Sequence, residues 1–242
     1  MDDAAAILLA AGRGSRMAGA VDDKILAAIG RRPVVDFSLE AFVRAGVVRR
    51  LVMVYRDATQ RAKLIAIVAR SAAREWPVRW VRGGRERQDS VANALRALPA
   101  STRFVFIHDC ARPLVHPDDL RRVGEAVRRD GAACLAYRIT DTVKRVPPRA
   151  PDAVRRRFRT IDRTRLWAME TPQAFRRTLI ARAYAIVKER GLQITDDAAA
   201  IELATRHSLT LVESTHPNLK ITRPADLAYA AYLVQRAADD SA

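Results

Sequence analysis

The stretch LLAAGRGSRM, from Leu8 to Met17, decides the fold of this chain. It continues an apolar run and turns at Gly12 and Gly14 before it supplies Arg16. An apolar run that ends in a glycine turn predicts a β-strand leading into a phosphate site, because glycine lets backbone N–H groups approach an anion closely. Lys24 adds a second cation further on. This order favours a nucleoside triphosphate as ligand, although an ordinary tight turn would look the same in this stretch alone.

Apolar runs rich in β-forming residues alternate with helix-period stretches along the rest of the chain. Strands are predicted at residues 4–9, 51–55, 78–81, 104–108, 132–137 and 209–212. Helices are predicted at residues 34–45, 58–73, 89–98, 117–129, 176–189, 196–205 and 224–236. This alternation predicts an α/β fold with a mostly parallel sheet and helices on both faces. Ligands of such sheets bind beyond the carboxyl ends of the strands.

Residues 137–162 break this rhythm because they are polar, basic and rich in proline. We expect them to form a projecting arm or β-hairpin that packs on another subunit. A disordered surface loop is the alternative. The simplest organisation is a single domain over residues 1–242 with this arm as an excursion.

The net charge of +16 raises the question of nucleic-acid binding. The excess arginine is scattered, however, and its densest cluster, Arg155–Arg157 with Arg159, lies in the proline-flanked arm. Aromatic residues make up only 6% of the chain, so no stacking platform for single strands is apparent. We therefore expect nucleic acid not to be the main partner.

Cysteine content and hydropathy indicate the compartment. Cys110 and Cys134 are too few for a disulfide framework, which favours free thiols and the reducing cytoplasm. No apolar run approaches the roughly 20 residues of a membrane span. The expectation is a cytoplasmic protein without a membrane anchor.

Two loops at predicted strand ends carry candidate site residues. GGRERQDS, residues 83–90, combines a glycine turn with Arg87 and Ser90 and suits a base, a ribose or phosphates, unless it is an ordinary turn. HDCARP places Asp109 directly after a strand, where one carboxylate can bind Mg²⁺ together with substrate phosphates. A helix cap or an ion pair with Arg112 is the structural alternative. Cys110 has no histidine partner at a suggestive spacing, which favours packing over nucleophilic catalysis.

Hydroxyls and cations recur further along the chain. The segments concerned are Asp141–Lys144, Asp162–Arg163, Thr171–Gln173, Thr195–Asp197 and Lys220. Each could be a turn or a cap, but together they would suit a second ligand that is a polyol carrying a phosphate.

Seven motifs occur in the order and approximate spacing of one known family. They are LAAGRGSRM, GGRERQDSV, HDCARP, DTVKR, ETPQAF, ITDDAAA and NLKITRPADL. From about residue 4 to residue 236 the chain resembles the 2-C-methyl-D-erythritol 4-phosphate cytidylyltransferase family of the non-mevalonate isoprenoid pathway. The resemblance implies a Rossmann-like α/β fold, a homodimer joined by the 137–162 arm, CTP as co-substrate and Mg²⁺ as cofactor. The implied reaction transfers CMP from CTP to 2-C-methyl-D-erythritol 4-phosphate, giving 4-diphosphocytidyl-2-C-methyl-D-erythritol and pyrophosphate.

The resemblance also implies roles for individual residues. The catalytic cations would be Arg16 and Lys24. The nucleotide would be held by Ala10, Ala11, Gly12, Gly14, Gly84, Arg87 and Ser90. Asp109 would bind the metal, and the substrate site would comprise Asp109, Cys110, Arg112, Thr142, Arg163, Thr171, Thr195 and Lys220. Arg112 and Thr142 would reach into the neighbouring subunit's site.

The chain departs from the family pattern around Lys24 and at a few other positions. Asp23-Lys24-Ile25-Leu26 stands where the family usually has Pro-Lys-Gln before an aromatic residue or leucine, with one extra residue after Arg16. Asp23 is therefore expected to weaken the attraction of this loop for phosphate. Cys110 replaces the usual alanine, and Glu170 replaces a small or apolar residue. Two alternatives remain: a cytidylyltransferase for another polyol phosphate, such as ribitol 5-phosphate, and a non-catalytic relative that binds nucleic acid.

Overall fold

The computed structural model describes residues 3–12, 14, 17, 21–146 and 158–239. In chain order its elements are β1 (Ala4–Leu9), β2 (Ala28–Ile29), β3 (Arg32–Pro33), α1 (Val34–Ala45), β4 (Leu51–Tyr55), α2 (Ala58–Arg70), β5 (Val78–Arg82), α3 (Arg87–Ala97), β6 (Phe104–Asp109), α4 (Pro117–Asp130), β7 (Ala132–Arg138), β8 (Val143–Arg145), β9 (Arg159–Ile161), β10 (Trp167–Arg176), α5 (Arg177–Glu189), α6 (Asp197–Ala204), β11 (Thr210–Glu213) and α7 (Pro224–Asp239). The predicted strands and helices are all present, with ends that shift by at most three residues.

The central sheet has seven strands in the order β11-β7-β10-β6-β1-β4-β5. Every pairing is parallel except those of β10, which runs antiparallel to both β6 and β7. The prediction of a mostly parallel sheet is therefore confirmed. Strand β10 was not predicted, because its Thr171-Pro172-Gln173 segment has the composition of a turn.

Side chains of the buried strands alternate between two apolar layers, as a two-residue period requires. In β1, Leu8 packs on one face with Phe42 of α1 and Leu64 of α2. Ile7 packs on the other face, against α3, α5 and α6, where Ile180 is fully buried. Helices on both faces are confirmed, and this burial fixes the strand ends that face the site.

The arm begins as a separate two-stranded hairpin. Val143–Arg145 pairs antiparallel with Arg159–Ile161, and neither strand joins the central sheet. Residues 147–157, with the prolines and with Arg155–Arg157 of the densest arginine cluster, lie outside the described residues. The hairpin interpretation is confirmed for the base of the arm. Among the described residues, no helix combines the length and the apolar character that crossing a bilayer requires.

Candidate functional site

A cavity of about 960 Å³ lies beyond the carboxyl ends of β1, β4, β5 and β6. The described residues that line it are Leu9, Ala10, Ala11, Gly12, Gly14, Lys24, Ile25, Arg56, Arg82, Gly83, Gly84, Arg85, Glu86, Arg87, Ser90, Asp109, Ala111, Lys220 and Thr222. Parallel strands end at the same edge of the sheet, so loops that are far apart in the chain meet here. The cavity lies where the sequence predicts ligand binding.

The cavity is rich in positive charge. Six of its lining side chains are cationic: Lys24, Arg56, Arg82, Arg85, Arg87 and Lys220. Only Glu86 and Asp109 carry negative charge in the same lining. A concave surface with this imbalance attracts polyanions, and a nucleoside triphosphate is one of suitable size.

Glycines bring the backbone close to the cavity. Gly14 has a φ of 62°, a conformation in which residues with a Cβ are strained. A Cβ on Gly83 would lie 2.6 Å from Cβ of Ala11, and one on Gly84 would lie 2.2 Å from Cβ of Asp89. The close approach of the 83–90 turn to the loop after β1 therefore depends on Gly83, and the tight fold of the turn on itself depends on Gly84.

The Ser90 hydroxyl closes the same turn. It accepts a hydrogen bond from the Gly84 N–H at 3.0 Å and donates to the Glu86 carbonyl oxygen at 3.1 Å. Glu86 and Asp89 form a capping box at the start of α3. This turn is preformed, with its backbone facing the cavity.

Asp109 ends β6 and is paired with two cations. Its Oδ1 accepts from Nε of Arg87 at 3.2 Å, and its Oδ2 accepts from Nζ of Lys220 at 2.5 Å. Burial alone would raise the pKa of this carboxyl, but Arg87 and Lys220 outweigh burial and hold the pKa well below its usual value. Asp109 is therefore ionised at neutral pH.

Arg87 joins the cavity to a buried carboxylate behind it. A terminal guanidinium nitrogen of Arg87 donates to Oδ2 of Asp197 at 2.8 Å, and the Tyr184 hydroxyl donates to Oδ1 of Asp197 at 2.5 Å. The side chain of Asp197 is fully buried. Burial opposes the charged form of Arg87, yet Asp197 and Asp109 raise the pKa of the guanidinium well above its usual value.

The two lysines of the cavity come from opposite ends of the chain. Nζ of Lys24 donates to the carbonyl oxygen of Ile221 at 2.8 Å, next to Lys220. The N–H of Ile221 donates to the carbonyl oxygen of Ala111 at 2.7 Å, which ties this segment to the loop after β6. The fold thus brings two ammonium groups to one cavity.

Asp109 has the donor chemistry of a magnesium ligand. Within the described ranges no group of three or more His, Cys, Asp or Glu side chains could hold a metal ion. A single ionised carboxylate is nevertheless enough for Mg²⁺ when substrate phosphates and water complete the coordination. The residues present fit an ion that enters with a nucleotide.

The structure brings ten of the predicted site residues together. Those that line the cavity are Ala10, Ala11, Gly12, Gly14, Lys24, Gly84, Arg87, Ser90, Asp109 and Lys220. Arg16 lies outside the described residues, so its role stays a prediction.

Three predicted substrate contacts are buried away from the cavity. Cys110 is fully buried, and burial raises the pKa of its thiol, which favours packing as the role of its side chain. A contact between Cys110 and the substrate stays a prediction. The Thr171 hydroxyl accepts from the Asp109 N–H at 3.1 Å and lies 3.2 Å from Nδ1 of His108. It therefore holds the end of β6 rather than facing the cavity.

Arg112, the third of these residues, is partly buried. Its guanidinium donates to Oε1 of Glu170 at 3.2 Å and to the Asn218 carbonyl oxygen at 2.7 Å. Only 12% of the side chain is exposed. The structural alternative, an ion pair between Asp109 and Arg112, is not what forms, because Arg112 pairs with Glu170 and Asp109 pairs with Arg87 and Lys220. The reach of Arg112 into a neighbouring subunit stays a prediction.

Thr142, Arg163 and Thr195 are exposed and lie outside the cavity lining. The Arg163 guanidinium donates to the Thr140 carbonyl oxygen beside the arm. Thr195 directly precedes Asp196, which caps α6. Their contacts with a polyol phosphate stay predictions.

Sequence reasoning missed Arg56 and Arg82 as lining residues. Arg56 directly follows β4, and Arg82 is the last residue of β5. The rule that ligands gather at strand carboxyl ends would have identified both.

Asp23 acts on the charge of the cavity through Arg56. Its side chain is only 6% exposed and lies 3.3 Å from a terminal nitrogen of Arg56. The carboxylate is outside the cavity lining but pairs with Arg56, which is a lining cation, so it offsets part of the positive charge there. Its effect on the attraction for phosphate stays a prediction.

Comparisons with known proteins agree with one another. Residues 4–236 match the family model described as IspD, 2-C-methyl-D-erythritol 4-phosphate cytidylyltransferase. The enzyme of that name from Pelotomaculum thermopropionicum is 38% identical over 97% of this chain and 95% of its own length. The one from Geobacillus kaustophilus is 37% identical over 97% and 98%.

Solved structures give the same picture. The crystal structure of 2-C-methyl-D-erythritol 4-phosphate cytidylyltransferase from Thermus thermophilus superimposes with a TM-score of 0.73 at 26% identity, covering 95% of this chain and 98% of that one. The 4-diphosphocytidyl-2C-methyl-D-erythritol synthase from Anaerococcus prevotii has a TM-score of 0.82 at 24% identity, covering 97% and 99%, and supports the fold.

Proposed function

This chain belongs to the 2-C-methyl-D-erythritol 4-phosphate cytidylyltransferase family, and from that premise we propose how the cavity at the carboxyl ends of β1, β4, β5 and β6 performs the reaction. The protein is a cytidylyltransferase of non-mevalonate isoprenoid biosynthesis. It transfers CMP from CTP to 2-C-methyl-D-erythritol 4-phosphate and releases pyrophosphate. The observation that carries the assignment to this cavity is its six cationic side chains around the ionised Asp109.

The chemistry needs alignment and charge neutralisation, and no general base. An oxygen of the acceptor phosphomonoester attacks the α-phosphorus of CTP, and the bond to the bridging oxygen of the β-phosphate breaks. The electron pair leaves with pyrophosphate. Because the second pKa of a phosphomonoester is about 6, the attacking oxygen carries no proton that must be removed at neutral pH. The main barrier is the repulsion between two polyanions.

The cavity residues suit this task. We assign the triphosphate to the loop after β1 and to Lys24 and Lys220, whose ammonium groups would balance charge on the leaving pyrophosphate. The resemblance places Lys220 with the acceptor, but its ion pair with Asp109 in the cavity lining favours the triphosphate. Arg16 would join them from the same loop. The cytidine would lie against the preformed turn of Gly84 and Ser90.

Asp109 would hold Mg²⁺ together with substrate phosphate oxygens. When bound, the ion supplies electrostatic stabilisation of phosphate charge. In the structure Lys220 and Arg87 occupy both carboxylate oxygens. We therefore propose that Lys220 leaves Asp109 for the triphosphate when nucleotide and metal bind together.

The acceptor would lie toward Thr142, Arg163 and Thr195. We propose that the chain is one domain over residues 1–242 and that its 137–162 arm joins a homodimer, which would bring a second chain to the acceptor side. The arm hairpin pairs only with itself among the described strands, which supports an exchange of contacts with another subunit. Two free buried cysteines support a reducing compartment, the cytoplasm.

Pyrophosphate release tests the proposal. The purified protein is incubated with Mg²⁺, each of CTP, ATP, GTP and UTP, and either 2-C-methyl-D-erythritol 4-phosphate or ribitol 5-phosphate. We expect release with CTP and the methylerythritol acceptor only. Equally efficient release with CTP and ribitol 5-phosphate would contradict the assignment of methylerythritol phosphate as the acceptor. Binding of nucleic acid without any pyrophosphate release would contradict the assignment as an enzyme and favour the non-catalytic alternative.

Lys24→Ala tests the assignment of the cavity. Removing one cation that balances transition-state charge should lower kcat a few hundredfold, about 3–4 kcal/mol in the barrier. Lys63→Ala, on the exposed face of α2, is the matched control and should leave kcat unchanged. Near-native kcat in Lys24→Ala would place the chemistry elsewhere.

A further inference from the structure

The turn that carries Lys24 is organised by the residue before it. The backbone oxygen of Asp23 accepts from the N–H groups of Leu26 at 3.1 Å and Ala27 at 3.0 Å. Its Oδ1 accepts from the Ile25 N–H at 3.2 Å. Asp23 therefore caps this turn in the way an aspartate caps the start of a helix.

The second carboxylate oxygen of Asp23 connects the turn to the rest of the site. Oδ2 accepts from Nε2 of Gln60 at 2.6 Å and lies 3.3 Å from a terminal nitrogen of Arg56. Both partners follow β4, so the contact joins the Lys24 turn to a strand end that is buried in the sheet. A proline, which the family usually has at this position, could make neither contact.

Gln60 is a buried amide that joins three segments. It is 1% exposed and does not line the cavity. Besides Asp23, its Nε2 donates to the Ala10 carbonyl oxygen at 3.0 Å, and its Oε1 accepts from the Arg56 N–H at 2.6 Å. The Asp23 carboxylate and the Ala10 carbonyl can only accept a hydrogen bond, and the Arg56 N–H can only donate one. These partners therefore fix which end of the Gln60 amide is nitrogen and which is oxygen.

The Lys24 side chain extends from this turn across the loop after β1. Its Cγ and Cδ lie 3.8 Å from the position that a Cβ on Gly14 would occupy. The turn is tied to Ala10, where that loop begins, through Gln60. Asp23 and Gln60 thus fix the backbone turn from which Lys24 extends, while the Lys24 ammonium itself donates to the Ile221 carbonyl oxygen.

We propose that Asp23 and Gln60 are positioning residues for Lys24, forming a clamp that this chain uses in place of the family's proline. The inference rests on the proposed function, because it assigns the clamp to the reaction at this cavity. Asp23 and Gln60 touch neither nucleotide nor acceptor and act through Lys24. A displacement of about 1 Å in a positioned group can cost about a hundredfold in rate, so the clamp is a determinant of kcat.

The test changes the hydrogen-bonding group of Gln60 without changing the size of the side chain. In Gln60→Glu a carboxylate oxygen faces the carboxylate of Asp23 and the carbonyl of Ala10, so two attractive contacts become repulsive. We expect kcat to fall about tenfold to a hundredfold while the KM for the acceptor changes less than about twofold. Thr59→Ala, the exposed neighbour on α2, is the matched control and should retain native kinetics.

The double variant Asp23→Asn/Gln60→Glu reverses the polarity of the pair. The amide of the first can donate to the carboxylate of the second, so we expect at least half of the logarithmic loss in kcat to return. A rescue of this kind is not expected from a general loss of packing. If Gln60→Glu does not fold, as judged by near-ultraviolet circular dichroism, Asp23→Asn alone is compared with the double variant in the same way.

Amide hydrogen exchange provides a readout that is independent of activity. Loosening the clamp should speed exchange at Leu26 and Ala27, whose N–H groups bond to Asp23. Unchanged exchange, unchanged kcat in a folded Gln60→Glu protein, or no rescue in the double variant would overturn the inference. If the native protein releases no pyrophosphate from CTP, the proposed function fails, and the exchange measurement still decides whether the clamp orders the turn.

Discussion

Replacing Arg87 by methionine should destabilise the protein more than any exposed arginine would. Arg87 supplies the only charged partner recorded for the fully buried Asp197 among the described residues, at 2.8 Å. Methionine retains most of the side-chain volume but leaves that carboxylate with the Tyr184 hydroxyl alone. Breaking a buried pair by removing one partner costs about 3–5 kcal/mol, and we expect a loss of that size in the free energy of unfolding.

Urea unfolding of four proteins tests this reasoning. Arg96→Met, an exposed position on the same helix, is the control and should stay within about 0.5 kcal/mol of the native protein. Adding Asp197→Asn to Arg87→Met should restore about 2 kcal/mol, because the amide can still accept from Tyr184 and carries no buried charge. A loss below about 1 kcal/mol in Arg87→Met, or no recovery in the double variant, would refute the assigned role of this pair.

Three further predictions concern residues behind and beside the cavity. Burial lowers the pKa of His108 from 6.5 to about 4, so stability should fall as the pH drops below 6.5 and level off near 4. Between pH 7 and pH 5 the native protein should lose about 2 kcal/mol more than His108→Asn in urea unfolding, and equal losses would contradict this. Thr171→Val leaves the buried N–H of Asp109 without its acceptor and should cost about 1–3 kcal/mol, whereas Thr171→Ser should cost less. Gly84→Ala forces a Cβ to within 2.2 Å of Asp89 and should abolish thermal stabilisation by CTP, which a thermal shift assay would measure.

Hydrophobic period was sufficient to predict most of the fold. The continuous apolar run of 4–9 and the helical spacing in 34–45 depend on local sequence, and both elements appear with those bounds. Strand β10 was missed because Pro172 is typical of turns, and both Glu170 and Pro172 are residue types that are uncommon inside strands. Its place between β6 and β7 is set by tertiary pairing, which local composition does not encode.

Residues of the candidate site could be predicted from the sequence where a functional side chain or a glycine comes directly after a predicted strand. Asp109 and Gly84 could be located because each follows a strand that the pattern predicts. The connection of Lys24 to Ile221 spans 197 residues and could not be read from spacing. The motifs also do not show burial: the structure buries Cys110 and Thr171, which the resemblance assigns to the substrate.

A crystal structure of the protein with CTP and magnesium would test the central claim most directly. The account predicts triphosphate oxygens within hydrogen-bond distance, about 2.7–3.2 Å, of Nζ of Lys24 and of Lys220, with the cytosine against the 83–90 turn. Nucleotide bound outside this cavity, or bound inside it while both lysines keep their present partners, would contradict the account.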